Sequence, residues 1–186
     1  MGVSLQGPLG TEEDLRTEIE SEFRREYVCS SWYGLHGESY EEDGTSAAHN
    51  RITTNVMMKL HNRRELWLGS SQFKLHIPER PSFFCPDLAI YRRTNVQEWY
   101  GTAPLFLLEV VEPRSEFVDR CLKYHTYMAL PSLQPYLIAR QDERHVYAYG
   151  CEGDEWVLTE HKGQGVIPFP GLNTSISLDD IYAGVL

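Results

Sequence analysis

Apolar positions along this chain follow two rhythms, and each predicts a different kind of element. Leu15, Ile19 and Phe23 recur every four residues among charges, so a helix is expected over about 11–27. Ile52, Val56 and Leu60 repeat the pattern and predict a second helix over 46–62. His49 stands three residues before Ile52 and shares that stripe, which turns it toward the sheet instead of water. Elsewhere the apolar residues are consecutive. Residues 83–91 and 104–111 are nearly unbroken apolar runs and read as buried strands, with a polar loop over 92–102 between them. Shorter strands are expected over 65–68 and 72–77, flanking the turn Gly69-Ser70-Ser71.

Beyond the second long run, Ser115 is placed to cap a helix that continues to about residue 130, where Pro131 stops it. An apolar run over 135–139 and another strand over 146–149 flank Gln141-Asp142-Glu143 and read as a hairpin. Strand 105–111, the helix and strand 136–139 then form a βαβ unit whose strands are parallel neighbours. A strand over 156–160, a loop over 163–171 and a helical turn over 178–182 complete the pattern. Near the start, Gly34, Gly37 and Gly44 mark turns around an extended segment that contains Glu38. The expected architecture is α/β (α+β), a mixed sheet flanked by helices. With 186 residues and no repeat, low-complexity tract or long linker, one domain over 1–186 is expected.

Charge and cysteine usage narrow the function classes. A net charge of −10 and a pI of about 5.1 argue against a surface that grips nucleic acid all over. The densest basic supply is Lys59, Arg63, Arg64, Lys74, Arg80, Arg92 and Arg93, which serves either as local phosphate contacts or simply as a solvated face. Cys29, Cys85, Cys121 and Cys151 lie far apart with no Cys-x-x-Cys pair, so structural zinc has no support and Cys85 reads as a small buried thiol. The histidines form no His-x-x-x-His pair. No apolar stretch has the length of a membrane span, and the beginning of the chain lacks the basic and apolar regions of a secretory signal. A reducing, cytoplasmic setting is expected.

The chemistry concentrates where two acids interrupt the apolar runs. Asp87 and Glu109 sit inside segments that otherwise read as buried strands, and acids are rarely buried unless paired or holding a cation. Two carboxylates on adjacent strands, with water and a backbone carbonyl such as that of Val110, make an oxygen-only donor set suited to magnesium or manganese. Either acid alone reads equally well as a hydrogen-bonded strand residue. Asp119, Lys123 and Tyr127 follow at steps of four and share a helical face. Asp119 and Lys123 form a surface ion pair on one reading. On the other, the helix overlies the acids and Lys123 stabilises charge on a phosphoryl transition state, so Lys123→Ala stops cleavage while sparing folding and metal affinity. Tyr127 extends this face or belongs to the core.

The segments Pro86-Asp87, Glu109-Val110-Val111-Glu112-Pro113-Arg114-Ser115, and Asp119, Lys123 and Tyr127, together with the aromatic-led run over 136–138, resemble the Uma-type putative restriction endonuclease family of the PD-(D/E)xK nuclease superfamily. Gly37-Glu38, His49 and the closing stretch 172–185 are similar to that family's corresponding parts. The resemblance implies a restriction-endonuclease-like core, Asp87 and Glu109 as metal ligands, and Lys123 as a relocated catalytic lysine, because Val111 stands where Glu-x-Lys would place it. Glu112 and Tyr33 depart from the family pattern, which commonly has serine at the first position and a polar or acidic residue at the second. The leading expectation is therefore a magnesium- or manganese-dependent endodeoxyribonuclease acting on DNA, with Glu38 as a further ligand, His49 orienting the site and a homodimer as the assembly. The rivals are a catalytically weak relative that binds nucleic acid or protein, and a phosphoesterase of another substrate.

Overall fold

In the computed structural model, residues 25–28, 31–34, 45–61, 65–70, 73–78, 82–111, 123–153 and 155–186 are described. Six strands build the sheet that carries the core: β3 (Leu66–Ser70), β6 (Leu88–Arg92), β8 (Phe106–Val111), β9 (Tyr136–Arg140), β10 (His145–Glu152) and β11 (Glu155–Lys162), in the order β11-β10-β9-β8-β6-β3. β8 and β9 are parallel and every other neighbouring pair is antiparallel, so the sheet is mixed and β8 has one partner of each kind. The parallel pair is the βαβ arrangement that the apolar runs predict. A second sheet has the order β2-β1-β5-β4-β7, from β1 (Arg25–Val28), β2 (Ser31–Gly34), β4 (Lys74–Ile77), β5 (Ser82–Phe84) and β7 (Tyr100–Gly101). β12 (Val166–Phe169) and β13 (Thr174–Ser177) form a separate antiparallel pair.

Side-chain alternation along β8 explains why its run is continuously apolar. Phe106, Leu108 and Val110 enter one core, with α1 (Ala47–Leu60), α3 (Leu178–Ile181) and the β12–β13 pair. Leu107 and Val111 enter the other, with Leu75, Ile77 and Phe84 of the second sheet and Tyr127 of α2 (Tyr124–Tyr127). A strand covered on both faces has no solvent side to make polar. Glu109 stands between Leu107 and Val111, on the face that α2 covers. α1 presents Ile52, Val56 and Leu60 to the first core, as its periodicity predicts, and Ser46 caps it by accepting the His49 N–H at 3.0 Å. Among the described residues, no helix is long and apolar enough to cross a membrane.

Several elements differ from the expectation. Residues 83–91 are not one strand: β5 joins the second sheet, β6 joins the main one, and the chain changes sheets at Cys85-Pro86-Asp87. Proline has no N–H to give a ladder, which suits a break there. Residues 25–28, expected at the end of the first helix, form a strand that pairs with Ser31–Gly34 and, through Tyr27, with Phe83. The backbone hydrogen bonding of this ladder overrides a helical periodicity; residues 11–24 lie outside the described residues. β3 and β4 do not pair across Gly69-Ser70-Ser71 but belong to different sheets, and Gly69 and Ser70 are part of β3. The loop over 163–171 contains β12, paired with β13 although Pro168 lies in it. The loop over 92–102 contains a 3₁₀ turn at Arg93–Asn95 and β7, parallel to β4. Of the helix expected from Ser115, α2 is the described part, and residues 112–122 lie outside the described residues.

Candidate active site

β6 begins at Leu88, paired with Leu108, whereas β8 continues through Glu109, Val110 and Val111. Asp87 directly precedes β6 and falls opposite Glu109 in this register, which sets Pro86 opposite Val110. The Asp87 side chain supplies Val110 with an acceptor beyond the end of the ladder: Oδ2 accepts the Val110 N–H at 2.7 Å. A strand residue's N–H and C=O project from the same edge, so the Val110 carbonyl lies on the Asp87 side as well. The Val111 carbonyl, one residue on, instead accepts Gln141 N–H at 3.3 Å on the β9 side.

The same Oδ2 is 3.0 Å from His49 Nε2, whose side chain is 13% exposed. His49 thus faces inward from α1, as its place on the stripe predicts. Two donors on one oxygen hold the carboxylate in a fixed orientation. Neither uses Oδ1, which has no hydrogen-bond partner among the described residues. His49 Nδ1 is buried and likewise lacks a partner among them.

Glu109 is held from the other face. Lys123 Nζ lies 3.1 Å from Glu109 Oε1, with side chains only 7% and 4% exposed respectively, and Tyr127 donates its hydroxyl to the same oxygen at 3.2 Å. The i, i+4 spacing that placed Lys123 and Tyr127 on one helical face therefore delivers both to one carboxylate. Tyr127 is also core, with its ring edge-on to Phe84 and Tyr136 at centroid separations of 5.3 and 5.2 Å. The two readings of that residue are both realised.

Asp87, Val110, Glu109, Lys123 and His49 are thus assembled around one end of β6 and β8. Glu38 and Asp119 lie outside the described residues. The basic supply over 59–93 does not make one outward face among the described residues. Arg92 and Arg93 are exposed, Lys59 pairs with Asp180 at 3.0 Å, and Lys74 is buried with its ammonium 5.9 Å from the Phe83 ring centroid. The sequence reading missed the Val110 N–H as the anchor of Asp87, and it missed Ser46 and Gln141. The side-chain hydroxyl of Ser46 donates to Gln141 Oε1. The Ser46 cap was locally legible; its long-range partner had no sequence signal.

The two carboxylates and the Val110 carbonyl are hard oxygen donors, the class that magnesium and manganese take. Among the described residues there is no group of three or more His, Cys, Asp or Glu that could hold a metal ion. The donor set fits a hard cation.

Comparisons with known proteins give the family and the fold. The chain is 30% identical over 149 residues to the uncharacterized protein sll1609 of Synechocystis sp., covering 76% of this chain and 84% of that one. It is 25% identical over 183 residues to slr1290 of the same organism, covering 95% and 93%. The crystal structure of a putative nuclease belonging to DUF820 from Anabaena variabilis superposes with a TM-score of 0.66, covering 96% of this chain and 100% of that one at 15% identity, a likeness of fold. The family model of the Uma2 putative restriction endonucleases matches residues 15–179, and the chain belongs to that family.

Proposed function

We propose that the protein is a magnesium- or manganese-dependent endodeoxyribonuclease. Asp87, Glu109 and the Val110 carbonyl would hold the cation, and Glu38 would add a further ligand. The observation that carries this reading is the buried Glu109–Lys123 ion pair beside a carboxylate whose Oδ1 is left uncommitted. A bound divalent cation would polarise the scissile phosphate and activate a water. Lys123, with Nζ beside Glu109, would offset charge developing on the phosphate, a task that a preorganised and desolvated ammonium performs well. Tyr127 fixes the Glu109 rotamer. His49 and the Val110 N–H fix Asp87, so neither acid has to reorganise when substrate binds. DNA is the proposed substrate, and a homodimer would present two sites to its two strands.

The decisive test incubates the protein with supercoiled plasmid and with single-stranded DNA, in magnesium or in manganese, beside Glu109→Gln and Asp87→Asn. Nicking or linearisation by the parent alone, stopped by EDTA, is the expected result. Cleavage unaffected by EDTA or by both substitutions would overturn the assignment. The net charge of −10 favours a second reading, a catalytically weak relative that binds nucleic acid or protein. Absence of cleavage of any DNA or RNA, with only weak manganese binding, would select it.

A further inference from the structure

The first turn of α1 lies beyond the helix's packed stripe, whose first buried residue is Ile52. Polar contacts must hold that turn, and the structure supplies a closed circuit of them. Val110 N–H and His49 Nε2 meet at Asp87 Oδ2, at 2.7 and 3.0 Å. His49 N–H donates to Ser46 Oγ at 3.0 Å, and the Ser46 hydroxyl donates to Gln141 Oε1. Gln141 N–H returns to the carbonyl of Val111, the residue bonded to Val110, at 3.3 Å. Starting from β8, the circuit passes through the β6 break and α1 and returns by way of the turn after β9.

We propose that Gln141 is a positioning residue for the Asp87 carboxylate, acting through Ser46 and His49. This deepens the nuclease reading and rests on it for its functional consequence, but the geometry can be tested without catalysis. Without the Gln141 link, His49 is the side-chain polar tie that remains between the first turn of α1 and the sheet among the described residues. The imidazole can then drift with the fraying helix end, and Oδ2 loses one of the two donors that aim Oδ1. Gln141 touches neither carboxylate, so its effect is indirect and smaller than that of a group bonded to a ligand.

The test uses Gln141→Leu, which removes the acceptor, and Gln141→Asn, which is too short to reach Ser46. Gln141→Glu keeps an acceptor and serves as the rescue. Two readouts precede any activity assay: the amide proton shift and exchange rate of Val110, which report its bond to Asp87, and the manganese dissociation constant from titration calorimetry. Gln141→Leu and Gln141→Asn should move the Val110 amide upfield and speed its exchange. They should weaken manganese binding by about 3- to 10-fold, at or below the ~10–100-fold typical when a direct outer-shell partner is lost. Gln141→Glu should restore both values. A Val110 amide and a manganese affinity unchanged in both disruptive variants would overturn the proposal. So would a disturbance that Gln141→Glu leaves in place, because that would mark a packing effect. If the parent binds no manganese, the nuclease reading fails, and the Val110 amide alone decides the positioning role.

Discussion

Lys123→Ala should destabilise the fold severely, contrary to the expectation that a lysine outside the ligand set is dispensable for folding. Lys123 and Glu109 are 7% and 4% exposed and 3.1 Å apart. Removing the ammonium takes a charged partner from a buried carboxylate that keeps the Tyr127 hydroxyl as a donor. Breaking such a buried pair costs about 3–5 kcal/mol. For a chain of this size each kcal/mol moves the melting midpoint by about 2–4 °C, so the expected fall is about 6–20 °C. Lys59–Asp180 supplies the internal control: its side chains are 42% and 40% exposed, and an exposed pair contributes at most about 1 kcal/mol. Calorimetry or circular-dichroism melts of Lys123→Ala, Lys59→Ala and the double variant Lys123→Met with Glu109→Gln would separate the effects. The double variant leaves no unpaired charge and should recover most of the loss. The reasoning fails if Lys123→Ala melts within about 2 °C of the parent, or if the double variant melts no higher than Lys123→Ala.

Four further outcomes are expected. Tyr91 is fully buried, burial raises its phenol well above the ordinary range, and its hydroxyl has no partner among the described residues; Tyr91→Phe should therefore be neutral or stabilising by up to about 1–3 kcal/mol, read from urea midpoints at constant m. Tyr182→Phe, which loses bonds to the Arg140 and His145 backbone, should instead destabilise. The Ser177 hydroxyl, then Lys59, hold Asp180 below the ordinary carboxylate range, so its contribution is present above the unfolded value of 3.8 and is lost as pH falls through the folded value; the difference in melting temperature between parent and Asp180→Asn should close in that window, and a gap that widens there would refute the sign. Cleavage of DNA at low ionic strength should fade as salt rises, well before about 0.2 M, because few basic contacts support it against a net charge of −10; activity unchanged across that range would contradict it.

The sequence carried the site as far as local periodicity reaches. Lys123 and Tyr127 were legible because helical spacing alone sends both toward one face, and His49 because it rides on the stripe of Ile52 and Val56. Asp87 was legible as an acid in an apolar run, but its role as the acceptor for Val110 was not, since that depends on β6 beginning only at Leu88 while β8 continues to Val111. The same limit hid the split of residues 83–91 between two sheets: an apolar run records burial, not which sheet supplies it. β12 was missed because Pro168 and neighbouring glycines read as loop punctuation, although a short two-stranded pair tolerates them. Gln141 carried no signal, because the partner it serves lies 95 residues away.

The early stop of β6 has an evolutionary consequence. Asp87 completes the backbone pairing of Val110, so it is constrained by folding whether or not hydrolysis is under selection. Glu109 and Lys123 answer to a different constraint, since a buried pair exchanged together for apolar residues of similar volume is often neutral or stabilising. A lineage released from cleavage should therefore lose positions 109 and 123 in concert while keeping an acceptor at 87. On the proposed function, the pair at 109 and 123 would then be the better marker of cleavage, and the acceptor at 87 the better marker of the fold.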